Sequence, residues 1–431
     1  MSVTGESMNH ANTRTTTEFV RSVDSLERLF YRFSERNPAH FSIVAEFGVT
    51  LTEAKVRTAL LAVQQRHPHL SVHVEDHPGS RLGFYRADAV APIDLTVHET
   101  GEPWQSVAAA ELAHPFDRSQ APLMRAVLVN GPSGSTIVLT FDHTIADGIS
   151  SVIVMNDLVN ALNGRTEPPL DVPPSVEDLI ARTLAAPEDQ GTNGPSDPRM
   201  AAPTSVRPFD GIPPYVHTVT LDGADTAQLV NLCRAEQTTV HAAILAAASR
   251  SHAMLLGTDF VRVLSPINIR SLIDAGDGCA DYFSCTTTAM SPSDGTAFWD
   301  HARAVTAELS VARSAPAVAA ASATIQQAIT VDAECVTTEQ FFTTGMPCDV
   351  LITNLGVQDL QVDGPIRPTA LWGPVVESQM DDFAVGVITY EGRLRMTACG
   401  YLPTEAFLDG VTAMLGRAMQ PALVSLAAAP R

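Results

Sequence analysis

Lysine is almost missing from this chain. Lys55 stands alone among 27 cationic residues, set against 48 acidic ones, for a formal net charge of −21. So acidic a chain excludes nonspecific nucleic-acid binding, which needs clustered cations to release phosphate counterions. Arginine in place of lysine, with abundant alanine, fits a GC-rich genome and carries no functional weight by itself. There is also no apolar run of the about 18 residues a membrane span requires; the most apolar helical stretch, Val240 to Leu256, is interrupted by Arg250, Ser251 and His252. The opening MSVTGESMNHANTRTTTEFV lacks the apolar core of a secretion signal and reads as the frayed start of a cytoplasmic protein. The cysteines at 233, 279, 285, 335, 348 and 399 form no C-x-x-C pair, which argues against a zinc ribbon or disulfide frame and for thiols in a reducing compartment. A serine-hydrolase elbow, H-E-x-x-H, a Walker loop and a dinucleotide fingerprint are absent as well.

What is present is an ordinary globular composition, 45% hydrophobic and 17% charged, in a chain of 431 residues, which is long enough for two domains. Asp24 with Glu27 reads as a capping box, and Leu26, Leu29, Phe30 and Phe33 fall at helical spacing, so a first helix is expected from Ser25 to Arg36. FSIVAEFGVTL alternates, with Ile43, Ala45, Phe47, Val49 and Leu51 on one face, and predicts a half-buried strand. Thr52 caps the next helix, lined by Val56, Ala59, Leu60 and Val63 and stopped by Pro68. LSVHVED alternates again, and strand, helix, strand is the opening grammar of an α/β layer. Further on, an amphipathic helix breaks at His114-Pro115, a strand covers Leu123 to Val129, and Gly131 to Gly134 turns into a strand from Thr136 to Phe141.

From Asn163 to about Pro214 proline, glycine and acidic residues dominate, with one short helix at Val176 to Leu184, and this stretch reads as a linker. The second half carries helices at Asp225 to Arg234, Val240 to Leu256, Ala297 to Ala312 and Glu405 to Leu415, and strands near Val261, Tyr282 and Val350. It also holds a hairpin in DFAVGVITYEGRLRMTACGY that turns at Glu391-Gly392. The expected division is residues 1–162, a linker over 163–214, and residues 215–431, both halves α/β.

The chemistry concentrates in IVLTFDHTIADGIS, residues 137–150, where a buried strand breaks into a polar turn and a helix follows with Val152, Met155, Val159 and Leu162 on one face. Histidine accepts and returns a proton near neutral pH, so His143 at a strand end, braced by Asp147 and followed by Gly148, is a candidate general base. Two other readings compete. Asp147 on its own would serve as an ordinary helix cap. Asp142, His143 and Asp147 together could offer ligands to a metal, although adjacent residues at a strand end point to opposite faces. A run of His67, His69, His73 and His77 also invites a metal reading, but reads better as the polar side of HLSVHVED.

DHTIADG resembles the H-H-x-x-x-D-G signature of the condensation-domain and chloramphenicol-acetyltransferase-like superfamily, which includes free-standing polyketide-associated acyltransferases of the phthiocerol dimycocerosyl transferase kind. Other segments follow in that superfamily's order: SLERLF, ALLAVQQRHPHL, HPFDRSQAPLMRAVLV, SPINIRSLI, DYFSCTTTAM and LITNLG, from about Val23 to Leu415. Asp142 stands where the first histidine of the signature would be, and the D-F-G-W-G motif of the plant BAHD branch is absent.

The resemblance implies an α/β (α+β) fold of two chloramphenicol-acetyltransferase-like lobes with an active-site tunnel between them. It implies acyl transfer from a thioester, acyl-CoA or an acyl carrier protein, to a hydroxyl or amine of a small metabolite, with no bound cofactor and no metal. His143 would be the general base; Asp147 would be structural and paired with Arg270 in INIRS; Gly148 would permit the turn and keep the tunnel open. Ser284, Thr286 and Asn354 are candidates for the oxyanion site or tunnel wall. A free-standing amide-forming condensation enzyme and a noncatalytic binder of the same fold are the alternatives, and a monomer is expected. Finally, Arg28, Arg32 and Arg36 recur every four residues and form either a solvated face balanced by Glu27 and Glu35 or a landing patch for an anionic donor.

Overall fold

The computed structural model describes residues 17–99, 101–185, 197–292, 294–376 and 383–420. The first half supplies β1 (Thr17–Ser22), α1 (Ser25–Phe33), β2 (His40–Phe47), α2 (Glu53–Arg66), β3 (His73–Glu75), β4 (Gly83–Ala87), β5 (Asp94–His98), α3 (Trp104–Leu112), β6 (Met124–Gly131), β7 (Gly134–Asp142) and α4 (Gly148–Leu162). After α5 (Val176–Thr183) come β8 (Tyr215–Leu221), α6 (Gly223–Ala235), α7 (Val240–Leu256), β9 (Val261–Asn268), β10 (Phe283–Met290), α8 (Phe298–Ala312), α9 (Ala315–Ala328) and α10 (Cys335–Gln340). The chain closes with β11 (Val350–Gln358), β12 (Pro368–Val376), β13 (Phe383–Tyr390), β14 (Arg393–Gly400) and α11 (Thr404–Met419).

These elements build two lobes. One is centred on the five-stranded sheet β12-β2-β7-β6-β5 with the small sheet β1-β4-β3 beside it, the other on the six-stranded sheet β10-β9-β11-β13-β14-β8. Among the described residues no helix is long and apolar enough to cross a membrane, and none of the six cysteines is in a disulfide.

Local chemistry accounts for most element ends. The Asp24 carboxylate accepts from the Glu27 backbone N–H while Glu27 accepts from the Asp24 N–H, both at 2.9 Å, which satisfies two orphan donors at the start of α1. That helix ends at Phe33, short of the expected Arg36, with Ser34 as its C-cap four residues ahead of Pro38. Thr52 caps α2 as expected. The β13–β14 hairpin turns through Glu391 at φ 51° and Gly392 at φ 68°, the two positive values a type I′ turn demands.

Strand β2 departs from expectation: it is buried on both faces. Ile43, Ala45 and Phe47 join the core shared with α2 and α4, and Val44 joins a second cluster with Trp104 and Val107 of α3. A helix layer on each side is what covers the face read as open. The stretch read as a linker is also partly structural. Its α5 is docked where the lobes meet: the Val176 N–H donates to Asp24 and the Ser25 N–H donates to Glu177. Val176 packs in one cluster with Leu26, Ile269 and Tyr282.

The largest departure is β12. It comes from the second half of the chain yet lies antiparallel to β2, Leu371 opposite Ala45 and Trp372 opposite Val44, completing the first lobe's sheet. This exchange brings β12 across β13 so closely that a Cβ on Gly386 would sit 1.9 Å from the Pro374 carbonyl oxygen. Backbone cannot yield as a side-chain tip can. Gly386→Ala is therefore expected to destabilise the protein by about 1–3 kcal/mol, the usual cost of overpacking, seen as a lower urea midpoint; an unchanged midpoint would mean that the two strands separate freely.

Candidate active site

The five-residue turn between β7 and α4 is set by carboxylates. Residues Ile137 to Phe141 bury β7, and at its end Asp142 Oδ1 accepts from the Thr144 N–H at 2.9 Å, folding the chain back on itself. Asp142 Oδ2 faces Arg118 at 3.9 Å, and the His143 N–H donates to the Ala39 carbonyl at 3.0 Å. With its backbone tied to the loop before β2, His143 is held at a fixed place on the strand end.

Asp147 does two things at once. Its Oδ1 accepts from the Ser150 N–H at 2.7 Å, so it caps α4. The same oxygen accepts from Arg270 Nη2 at 3.0 Å, and Oδ2 accepts from the Tyr282 N–H at 2.9 Å. The capping and the arginine-pairing readings of this residue describe one carboxylate. Arg270 also donates through Nη2 to the Ser150 hydroxyl at 2.7 Å and the Ala280 carbonyl, and through Nη1 to the carbonyls of Gly276 and Gly278, and lies over the Tyr282 ring. Burial alone would raise the Asp147 pKa, but Arg270 and the two backbone N–H groups outweigh it and hold the carboxyl below its ordinary value.

His143 lies flat against Phe30 of α1, ring centroids 4.0 Å apart and planes within 2°. Its Nδ1 is buried and 3.3 Å from Oδ1 of Asp281, while 18% of the side chain stays exposed, so the Nε2 edge is the open one. Asp281 is 0% exposed, and neither of its oxygens has an aligned hydrogen-bond partner among the described residues. Burial pushes its carboxyl up to about 7, with His143 opposing. Burial likewise opposes charge on His143, but the Asp281 carboxylate beside it prevails and raises the imidazole above its ordinary value.

Two cavities meet at this imidazole. One, of about 600 Å³, is walled by His143, Gly148, Asn268, Thr353 and Asn354 among others. The second, of about 990 Å³, is almost wholly apolar, with Phe30, Phe33, Leu264, Phe342 and Met346 in its wall. Pro266, Phe283, Leu351 and Val376 line both, so His143 stands at the junction between the two spaces.

The Condensation domain family model matches residues 28–189. One of the plipastatin synthase proteins of Bacillus subtilis (strain 168) is 27% identical over 237 residues, which cover 52% of this chain and 9% of that protein. A linear gramicidin synthase protein of Brevibacillus parabrevis is 28% identical over 243 residues, 50% of this chain and 3% of that protein. The chain thus spans only a small fraction of the curated relatives it matches. Among solved structures, polyketide synthase associated protein 5 from Mycobacterium tuberculosis superposes with a TM-score of 0.67 at 16% identity, covering 94% of this chain and 98% of that one. This is the condensation-domain fold. The epimerization domain from the third module of tyrocidine synthetase B shares it, with a TM-score of 0.65 at 13% identity over 94% and 98% of the two chains.

Within this condensation-domain fold the remaining candidate residues fall unevenly. Gly148 lines the smaller cavity. Turn geometry does not demand it, since its φ is not left-handed, and a Cβ there would meet the Leu355 side-chain methyl at 2.7 Å, a contact that rotation of the leucine can relieve. Ser284 lines the apolar cavity and Asn354 the other; Thr286 lines neither. The arginine stripe does not form a free cationic face: Arg28 donates to the carbonyls of Ile329 and Val23, Arg32 is bonded to Glu35 and Asp76, and only Arg36, 66% exposed, projects outward, 3.7 Å from Glu339. In the histidine run, His67 and His69 are fully buried rather than on a polar face: His67 faces Asp157 at 2.9 Å and His69 faces Arg21. Asp142 Oδ1 and both oxygens of Asp147 accept from protein donors, and Asp142 Oδ2 lies 3.9 Å from Arg118. Elsewhere, His217, Glu405 and Asp409 bring ligand atoms within 4.8 Å of one another, and none of the three lines the cavities at His143.

Sequence reading missed Asp281, Ser150 and Phe30 as site residues. Asp281 opens the DYFSCTTTAM segment, yet nothing local to it announces a partner 138 positions away in the chain, a separation that follows from the numbers of His143 and Asp281. For the clamp, Asp147→Asn and Arg270→Ala are each expected to cost about 3–5 kcal/mol, because either change strands the other charge in a buried site. A double-mutant cycle in which the two effects simply add would exclude the pairing. Because the native carboxyl titrates below its unfolded value, its contribution is complete above the ordinary carboxylate range and fades as pH falls through the native value. The stability gap between wild type and Asp147→Asn should therefore narrow in acid.

Proposed function

We propose that this chain is an acyltransferase that moves an acyl group from a thioester to a hydroxyl or amine of a small metabolite, with His143 as general base. The observation that carries this reading is the meeting of two cavities at the open edge of His143, which lets two substrates reach one imidazole from different sides. As the acceptor oxygen or nitrogen bonds to the thioester carbonyl carbon, its proton passes to Nε2. The tetrahedral intermediate then collapses, the C–S bond breaks, and the proton on Nε2 passes to the departing thiolate. The imidazole ends as it began, and no covalent bond to the protein forms.

The lining divides the labour. The larger cavity offers almost nothing polar: His40, one of its few polar residues, is driven down to about 3 by burial and is tied to the Glu111 carbonyl. It suits an uncharged apolar acyl chain. The smaller one, with Asn268, Thr353 and Asn354, suits a polar acceptor. Ser284, in the wall of the larger cavity, and Asn354, in that of the smaller, are the proposed donors to a developing oxyanion. Acyl-CoA and an acyl carrier protein both remain proposed donors. The similarity to large synthases, of which this chain covers so little, favours a second reading in which both substrates are carrier-tethered and the product is an amide.

The decisive assay is thiol release from acyl-CoA and from acyl-carrier donors in the presence of hydroxyl and amine acceptors. His143→Ala should lower turnover by about 10² to 10⁴ while the protein stays folded; wild-type turnover in the folded variant would refute the role. Chelator treatment should leave turnover unchanged. Across a series of donors, turnover should favour uncharged apolar chains over malonyl or aminoacyl groups, and Phe342→Ala should extend the longest chain accepted. Equal use of charged and apolar acyl groups would reassign the larger cavity.

A further inference from the structure

Asp281 is a buried carboxylate with no N–H or arginine turned toward it. Its side chain is fully enclosed, neither oxygen has an aligned hydrogen bond among the described residues, and the one group in reach is His143 Nδ1 at 3.3 Å. The contrast with Asp147 is sharp: there three donors compensate the charge. An ionised carboxylate without compensation is among the costliest things a protein interior can hold, and the low-cost solution is a proton shared with a neighbour.

We infer that Asp281 and His143 act as one proton-holding unit in which Asp281 is the positioning residue: it keeps the proton on the buried Nδ1 side of the ring and so leaves the Nε2 lone pair to the substrate. This rests on the proposed role of His143 but names a residue that role does not require. The position of Asp281 is not an accident of a flexible loop. The next residue, Tyr282, donates its backbone N–H to Asp147 at 2.9 Å, so the clamp that caps α4 also sets Asp281 opposite the histidine.

The electrostatic surroundings act in the same direction. Asp147 at the start of α4 and Glu27 of α1 each add negative potential at Asp281, and Asp147 does so at His143 as well, which retains the proton. Each is itself held by an arginine, Arg270 and Arg21. The Cys279 thiol, two residues before Asp281, is kept protonated by burial and adds no charge. In the net-neutral form the pair holds one proton more than a base requires. Loss of that proton gives Asp281 carboxylate, Nδ1–H and a free Nε2, which is the competent state. The proton count of the pair, rather than of an isolated imidazole, then governs the rate, and the two groups titrate together.

Two measurements test this. In wild-type protein with ¹⁵N-labelled histidine, the His143 signals, assigned by their loss in His143→Gln, should titrate above the ordinary imidazole value of about 6.5 and show the Nδ1–H tautomer when neutral. A neutral Nε2–H tautomer, or a midpoint at or below that value, would overturn the inference, and this readout needs no turnover. Failure of the proposed acyl transfer would appear separately, as an absence of thiol release. In kinetics, Asp281→Asn should lower kcat by about 10- to 10³-fold with little change in KM, the pattern of a misoriented base. It should also move the acidic limb of the kcat/KM profile to lower pH, because burial then acts on the imidazole unopposed. A drop in activity with the acidic limb unmoved would make Asp281 an ordinary structural residue.

Discussion

One carboxylate joins the two halves of this protein. Asp147 receives a backbone N–H from its own helix, a guanidinium from Arg270 and a second backbone N–H from Tyr282, and the last two come from the far half of the chain. A surface pair with the same atoms would contribute little. Buried, and with all its donors supplied, this one orients both partners. Four residues before Asp147 lies His143, and one residue before Tyr282 lies Asp281. Closing the clamp therefore sets the distance between the proposed base and its buried partner.

Around that axis aromatic rings pack against the imidazole. Phe30 covers one face of His143, and Phe41 and Phe283 stand near its edge. The helix that carries Phe30 is anchored by a second buried charge system, in which Arg21 meets Glu27 through two bonds of 2.8 and 2.6 Å and Glu27 closes the capping box. Here a helix cap and a salt bridge locate an aromatic wall of the site. In a low-dielectric site of this kind, a small movement of charge has a larger effect than it would in water.

The fold by itself does not dictate this chemistry. It is shared with a polyketide synthase associated protein and with an epimerization domain, so function is argued from the residues at the junction of the two cavities. At the root of the turn, Asp142 accepts from the Thr144 backbone N–H and holds the chain in its fold-back.

The elements legible in the sequence are those whose cause lies within a few residues: the capping box at Asp24, the Thr52 cap, the I′ turn at Glu391-Gly392, and the strand–turn–helix that carries His143 and Asp147. Periodicity reports which face of an element is apolar, but not how many neighbours will cover it, and so β2 is buried on both sides where one was expected. The arginines of α1 repeat every four residues, yet whether such a stripe is open or tied depends on what packs against it, and Ile329 and Asp76 take up two of them. By itself the sequence determined the helices and strands whose caps, turns and periodicity are local, together with the polar turn and its histidine. Only the tertiary structure decided that β12 completes the first lobe's sheet, that two cavities meet at one imidazole, and that Asp281 lies beside it. The physical reason is that local hydrogen bonds and caps are encoded at fixed short spacings, whereas a buried carboxylate finds its histidine only when two distant halves of the chain close over both.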